Sequence, residues 1–216
     1  MIAKKILIWL PSPLGDAIMA TPALRSIRER FDDAKIYFCA SKTVADALSP
    51  TSFADDWITL KKNNPFAIAA ELKKYDFDAA ILLKNSFASA MAVFLAGIKS
   101  RIGYAREARG FLLTEKLYPQ KKSFFEYKPI SVIDYYLAIA ARLGGETTNK
   151  QTQLDIAKND RESIGEKFPN HLNRSKPVVI IVPGGAFGPS KIWPKERFAA
   201  VIIFWLRSFQ PMFLFR

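Results

Sequence analysis

Cysteine and histidine are nearly absent from this 216-residue sequence, which contains one residue of each, Cys39 and His171. A single cysteine excludes an internal disulfide, and so few thiol and imidazole groups exclude an ordinary Cys/His zinc cluster. Acidic residues are also scarce, because 20 Asp and Glu face 32 Lys and Arg, which leaves a net charge of +12. The composition predicts a protein of a reducing compartment with an anionic partner, such as nucleic acid, a phosphorylated metabolite or a membrane surface.

Long hydrophobic runs are missing too. The apolar run that opens the chain stops at Pro11, and no segment has the roughly 20 uninterrupted apolar residues of a membrane-spanning helix. We therefore expect neither a signal peptide nor a spanning segment. Half of the residues are hydrophobic and only 10 are Gly and 13 Pro, which fits a packed globular protein.

Short apolar runs alternate with amphipathic stretches, a pattern that predicts a mostly parallel sheet flanked by helices. The predicted strands are Lys5–Leu10, Lys35–Ala40, Trp57–Leu60, Ala79–Leu83, Arg101–Gly103 and, after a gap, Val178–Val182. The predicted helices are Asp16–Arg30, Lys42–Leu48, Pro65–Lys74, Phe87–Gly97, Ile130–Leu143, Asn159–Phe168 and Pro194–Leu206.

The polar stretch Glu146–Gln153 has no apolar periodicity and is typical of a linker. We therefore predict an α/β domain over residues 1–145, a linker with a connecting helix over 146–176, and the start of a second α/β domain over 177–216. At roughly 100–200 residues per domain, the length allows about one and a half domains.

The last stretch, Phe198–Arg216, is unusual because it holds five of the 17 phenylalanines and no acidic residue. One interpretation is a helix over Pro194–Leu206 that is buried on most sides. The favoured interpretation is an interruption of the natural reading frame near Val201, because a second strand–loop–helix start with no sheet to follow cannot bury itself.

The loop after the first strand, Pro11–Asp16, lies where doubly wound sheets collect ligands. It is not the dinucleotide fingerprint, because Gly15 is its only glycine. Asp16 stands at the entrance of the next helix, where it serves either as an N-cap or as a general base that faces the crevice.

A second loop, Pro183–Pro194, combines glycines with Lys191 before a helix, an arrangement that suits a phosphate. Its spacing does not match a Walker A loop, and the alternative is an ordinary glycine turn with a solvated lysine. In a third segment, Asn85 and Ser86 either cap the following helix or present polar groups to a ligand.

Four motifs stand in order along the chain: P-S-P-L-G-D-A-I-M-A-T-P-A-L-R from Pro11, L-L-K-N-S-F-A-S-A from Leu82, A-G-I-K-S-R-I-G-Y from Ala96 and P-G-G-A-F-G-P-S-K-I-W-P from Pro183. Together they resemble the ADP-heptose:lipopolysaccharide heptosyltransferases of glycosyltransferase family 9, and most closely the heptosyltransferase II group. The resemblance spans about Lys5 to Val201. It implies a GT-B fold with a complete N-terminal Rossmann-like domain for the acceptor and the beginning of a second Rossmann-like domain for the nucleotide sugar.

The resemblance also implies residue roles. Asp16 falls on the family's general base, which would deprotonate a hydroxyl of the lipopolysaccharide inner core as heptose is transferred from ADP-heptose with inversion. Donor phosphate contacts fall on Gly184, Gly185, Ser190 and Lys191. Acceptor contacts fall on Lys84, Asn85, Ser86, Arg101, Arg106 and Arg109. No metal and no cofactor is expected.

The expected location is the cytoplasm, peripheral to the anionic inner face of a Gram-negative-type inner membrane, with the core lipid and the nucleotide sugar as partners. Nucleic acid is disfavoured because no recognition helix or aromatic stacking series accompanies the basic charge. Similar enzymes continue well beyond the Trp-Pro motif, so the resemblance implies a truncated chain with impaired transfer. The alternative is a non-catalytic module that binds glycolipid or an anionic membrane surface.

Overall fold

The computed structural model describes residues 3–60, 64–123, 126–167, 178–183, 192–209 and 212–215. These residues belong to two compact units, Met1–Asp155 and Ile156–Arg216. Within the described ranges, no helix combines the length and the apolar character that crossing a membrane requires.

A six-stranded parallel sheet forms the centre of the first unit, in the order β3-β2-β1-β4-β5-β6. The strands are β1 (Lys5–Trp9), β2 (Lys35–Ala40), β3 (Asp56–Thr59), β4 (Ala79–Leu82), β5 (Ser100–Tyr104) and β6 (Glu115–Leu117). Ile8 pairs with Phe38 of β2 on one side and with Ile81 of β4 on the other. The chain order reverses between β1 and β4, so the crevice at their carboxyl ends is where this kind of sheet binds ligands.

The helices of the first unit are α1 (Leu14–Met19), α2 (Thr21–Arg30), α3 (Lys42–Leu48), α4 (Pro65–Leu72), α5 (Phe87–Leu95) and α6 (Val132–Arg142). They cover both faces of the sheet. On one face, Ile6 and Ile8 share a buried cluster with Leu24 and Ile139; on the other, Leu7 and Trp9 lie with residues of α4 and α5. Burial on both faces explains why the central strands are continuous apolar runs.

The predicted single helix Asp16–Arg30 is wrong, because α1 and α2 are separated at Ala20. Pro22 has no N–H to donate to the carbonyl of Ile18. That carbonyl instead accepts a hydrogen bond from Thr21 Oγ1 at 2.7 Å. The short β6 escaped sequence analysis because it has three residues and no apolar run.

The segment after α6, which the sequence predicts as the start of a linker, is bound to α2. Arg25 Nη2 donates to the carbonyls of Asn149 and Gln151 at 3.0 and 3.2 Å, and Thr21 Oγ1 accepts from the backbone N–H of Gln153 at 2.9 Å. The first compact unit therefore extends to Asp155. The assignment of the units to acceptor and donor stays a prediction.

The second unit contains α7 (Lys158–Lys167), β7 (Val178–Ile181), α8 (Lys195–Phe209) and β8 (Met212–Phe215). β7 and β8 pair in parallel, with Val178 opposite Met212, so the helix is followed by a strand. The interpretation of an interrupted reading frame assumed that no sheet follows the second strand–loop–helix start, and that assumption is wrong. The interpretation that α8 is buried on most sides is also wrong, because Val201 is 37% exposed and Phe204 61%.

The loop after β5 carries two consecutive residues in the left-handed region, Glu107 (φ 51°) and Ala108 (φ 54°). A side chain at such a φ costs about 1 kcal/mol that glycine avoids. We therefore expect Ala108→Gly to raise the free energy of unfolding by about 1 kcal/mol, measured by urea denaturation. Ala70→Gly is the matched control, since Ala70 is exposed within α4. It should lower stability by about 0.5–1 kcal/mol, and equal losses in both variants would contradict the prediction.

Candidate functional site

Two depressions of about 290 and 240 Å³ open at the carboxyl ends of β1 and β4, and both are lined by Asp16, Asn85 and Tyr136. We call them together the strand-end cleft. Arg106, Lys128 and Tyr135 line the larger depression, and Lys84 lines the smaller one. The cleft lies entirely within the first unit.

Asp16 lies in the first turn of α1 and is not its N-cap, because Pro13 occupies the cap position. The N-cap interpretation is therefore wrong. The half-buried carboxylate borders the cleft beside Tyr136. The pKa of the Tyr136 hydroxyl is raised, mainly by burial and also by the negative charge of Asp16. This carboxylate is placed to accept a proton from a hydroxyl group bound in the cleft.

The segment after β4 is held against β1, since the backbone N–H groups of Leu83 and Lys84 both donate to the carbonyl of Trp9, at 3.0 and 3.2 Å. Ser86 is the N-cap of α5, and its Oγ accepts from the N–H of Ser89 at 3.2 Å. Of the two interpretations of this segment, the cap is therefore correct for Ser86. Asn85 instead faces the cleft.

The three arginines named by the resemblance go to different places. The guanidinium of Arg106 lies 4.9 Å from the centre of the Tyr127 ring, at the edge of the cleft. Arg109 is fully buried. Arg101 stands at the start of β5, and its side chain donates to backbone carbonyls of Leu112, Ile98 and Lys99 at 2.6, 2.5 and 3.3 Å. The structure therefore does not bring Arg101 or Arg109 to the open surface of the cleft.

Aromatic residues of α6 complete the cleft, and sequence analysis missed them. The ring of Tyr135 stacks on Tyr104 with 3.8 Å between centroids and meets Tyr136 edge to face at 5.6 Å. The hydroxyl of Tyr104 donates to the backbone carbonyl of Tyr135 at 3.0 Å. The adjacent tyrosines Tyr135 and Tyr136 were the available signal for a site. The helical periodicity of the stretch that contains them predicted only a packed helix.

Positive charge exceeds negative charge at the described lining of the cleft, where Lys84, Arg106 and Lys128 accompany the single carboxylate of Asp16. Such a set can hold an anionic group while the carboxylate faces a hydroxyl. Among the described residues, no three side chains of His, Cys, Asp or Glu come together as metal ligands. Metal-independent chemistry stays a prediction.

The predicted donor contacts Gly184, Gly185, Ser190 and Lys191 lie outside the described residues. The strand that precedes them is described, and β7 (Val178–Ile181) confirms the predicted strand to within one residue. Its predicted burial is wrong, because Ile180 is 68% exposed. The role of this loop stays a prediction.

Comparison with known proteins gives a family match over residues 66–207 to glycosyltransferase family 9 (heptosyltransferase). The match ends at residue 207, six residues beyond the predicted end of the resemblance at about Val201. The chain is 27% identical to lipopolysaccharide heptosyltransferase 2 of Escherichia coli K12 over 209 residues. That alignment covers 90% of this chain and 58% of the relative.

Solved structures agree with this assignment. The structure of the E. coli ADP-heptose LPS heptosyltransferase II matches 98% of this chain and 63% of its own, with a TM-score of 0.79 and 25% identity. A family 9 glycosyltransferase from Veillonella parvula has the same fold, with a TM-score of 0.82, 19% identity and coverage of 98% and 62%. These similarities confirm the predicted α/β, GT-B-type fold class. The chain belongs to glycosyltransferase family 9, the heptosyltransferase family.

Proposed function

We propose that this protein takes part in the transfer of heptose from ADP-heptose to the inner core of lipopolysaccharide, and that its first unit binds the acceptor. The observation that carries the proposal is the strand-end cleft, in which one carboxylate, Asp16, faces a lining that contains Lys84, Arg106 and Lys128. A phosphorylated sugar supplies both a hydroxyl for the carboxylate and an anionic group for the cations. The family match and the E. coli relative support the same assignment.

The proposed reaction forms a bond between an acceptor hydroxyl oxygen and the anomeric carbon of heptose, while the bond from that carbon to ADP breaks. A carboxylate is too weak a base to ionise a sugar hydroxyl beforehand, so the proton passes to Asp16 as the new bond forms. Attack from the side opposite to the departing ADP inverts the anomeric configuration.

The donor side of the proposal rests on the loop that contains Gly184, Gly185, Ser190 and Lys191. We propose that Lys191 offsets the negative charge that develops on the departing ADP, and that the other three shape the loop around the diphosphate. With that charge carried by a lysine, transfer needs no metal or cofactor.

An excess of EDTA should therefore leave the rate of heptose transfer unchanged.

The chain spans 58% of the length of its E. coli relative. Taken alone, these 216 residues are proposed to bind the acceptor and to transfer heptose poorly, because holding the donor in reactive geometry supplies about 7–11 kcal/mol of catalysis. The test uses the purified protein with heptose-deficient core oligosaccharide. Calorimetry measures binding, and mass spectrometry with ADP-heptose measures transfer.

Enzymatically dephosphorylated core oligosaccharide is the matched control, and it should bind more weakly than the phosphorylated form. Failure to bind any heptose-deficient core would refute the acceptor assignment. Rapid transfer by the 216 residues would instead refute the proposed impairment.

A second candidate function is attachment to an anionic membrane surface, favoured by the net charge of +12 and by the stretch from Lys99 to Lys128. That stretch has eight Lys and Arg, all but Arg109 outside the buried core, and three Glu. Each basic residue near such a surface contributes about 1 kcal/mol. We expect the protein to float with phosphatidylglycerol vesicles in about 0.1 M salt and to be released in about 1 M salt, where the Debye length falls from about 10 to about 3 Å. Phosphatidylcholine vesicles are the control, and equal binding to both would contradict attachment by charge.

A further inference from the structure

Arg109 is a fully buried arginine whose guanidinium donates hydrogen bonds to the end of β5, to the segment between β4 and α5, and to Ser89 Oγ in α5 at 3.4 Å. Its Nε donates to the carbonyl of Tyr104 at 3.0 Å, and its Nη1 donates to the carbonyl of Lys84 and, at 3.3 Å, to that of Ser86. Burial lowers its pKa to about 10, so the side chain stays charged at neutral pH. A guanidinium can only donate, so it dictates the orientation of any group that can both donate and accept.

Asn85 is such a group. Arg109 Nη2 lies 2.9 Å from Asn85 Oδ1, so the amide oxygen must face the arginine. The amide nitrogen then faces the opposite way and donates to the hydroxyl oxygen of Tyr135 at 2.8 Å.

The hydroxyl oxygen of Tyr135 is occupied by this amide nitrogen, which cannot accept a hydrogen bond in return, so the hydroxyl's own hydrogen must point elsewhere. Burial raises the pKa of the Tyr135 hydroxyl, and the positive charge of Arg106 opposes that rise. The ring cannot easily turn, since it stacks on Tyr104 and packs edge to face on Tyr136. The direction left is the strand-end cleft, which Tyr135 lines together with Lys128.

We propose that the series of hydrogen bonds from Arg109 through Asn85 to Tyr135 directs the hydroxyl hydrogen of Tyr135 into the cleft. There the hydroxyl donates to a phosphate oxygen that Arg106 and Lys128 also bind. Tyr135 is then a ligand-binding residue, and Asn85 and Arg109 are positioning residues. The phosphate as a group of the acceptor rests on the proposed function, whereas the direction of the hydroxyl rests on the hydrogen bonds alone.

Asn85→Asp tests the donor-to-acceptor direction of these hydrogen bonds, and it changes the shape of the side chain very little. The new carboxylate can still accept from Arg109, but it has no hydrogen to donate to Tyr135. The Tyr135 hydroxyl is then expected to turn and donate to the carboxylate. NMR of ¹³C-labelled tyrosine should show a higher pKa for Tyr135 than in the wild type, and an unchanged or lowered pKa would overturn the proposal.

Phosphate binding tests the ligand, with inorganic phosphate and phosphorylated core oligosaccharide as separate probes. Because Asn85→Asp also adds a negative charge, it is combined with Tyr135→Phe in a double-mutant cycle. We expect Asn85→Asp to weaken phosphate binding about tenfold in the wild type and only about threefold in the Tyr135→Phe background. Equal losses in both backgrounds would overturn the proposal.

Asn64→Asp is the matched control, since Asn64 is the N-cap of α4, where its Oδ1 accepts from the N–H of Phe66 at 2.9 Å and an aspartate caps equally well. It should change neither the pKa of Tyr135 nor phosphate binding. If the wild type binds neither probe, this inference is overturned even where heptose is transferred. If phosphate binds as expected but no core acceptor reacts, the proposed function fails and the inference stands.

Discussion

Asp16→Asn is expected to lower the rate of the proposed heptose transfer by about 10²–10⁴-fold, the usual contribution of a general base, which is the role proposed for Asp16. The substitution keeps the size of the side chain and removes its ability to take a proton. Pro13, not Asp16, occupies the N-cap of α1, so the helix loses no capping bond. The measurement is a single-turnover assay with excess protein, in which mass spectrometry detects slow conversion of the core oligosaccharide.

The dissociation constant of the acceptor separates the proposed role from a structural one. A lost base should lower the rate while acceptor binding changes less than about threefold. Asp46→Asn is the control, because Asp46 is an exposed carboxylate on α3 that pairs with Lys42 at 2.9 Å, away from the cleft lining. An Asp16→Asn protein that binds acceptor weakly but transfers heptose at the wild-type rate would exclude the base role.

The sheet could be predicted from the sequence because its strands are buried on both faces, which makes runs such as Ile6–Trp9 almost wholly apolar. The position of the cleft could be predicted for a related reason. Asp16 and Asn85 follow β1 and β4, and the carboxyl ends of adjacent parallel strands meet at one edge.

The rest of the cleft depends on contacts between distant parts of the chain. Tyr135 lies 50 residues from Asn85 in the sequence and reaches it because α6 packs against α2. A sequence pattern reports the buried face of a helix, but not which strand end that face will meet.

The sequence also did not predict which of Arg106 and Arg109 is buried. Arg106 and Arg109 are three residues apart, yet one lies at the cleft and the other is buried. The chain between them passes through the left-handed conformations of Glu107 and Ala108. Neither residue favours that conformation, so the resemblance gave both arginines as acceptor contacts, whereas the structure brings only Arg106 to the cleft.

Arg109→Met is expected to lower the free energy of unfolding by about 3–5 kcal/mol, a large fraction of the stability of a domain of this size. Methionine fills much of the same volume but donates nothing. Replacing a whole buried polar pair by apolar groups can be neutral, but here the acceptors include the backbone carbonyls of Tyr104, Lys84 and Ser86, which no side-chain substitution removes. These acceptors would stay buried without their charged donor, and urea denaturation measures the cost.

Arg109→Lys and Arg142→Met complete this experiment. Lysine restores the charge but not the planar fork that reaches Tyr104, Asn85 and the carbonyl of Lys84 together, so it should recover only part of the lost stability. Arg142 is a largely exposed partner of Glu115 at 3.6 Å, and its replacement should cost less than about 1 kcal/mol. If Arg109→Lys recovers all of the lost stability, charge alone matters at this position. If Arg109→Met and Arg142→Met lower the free energy of unfolding equally, the buried guanidinium of Arg109 does not stabilise the fold.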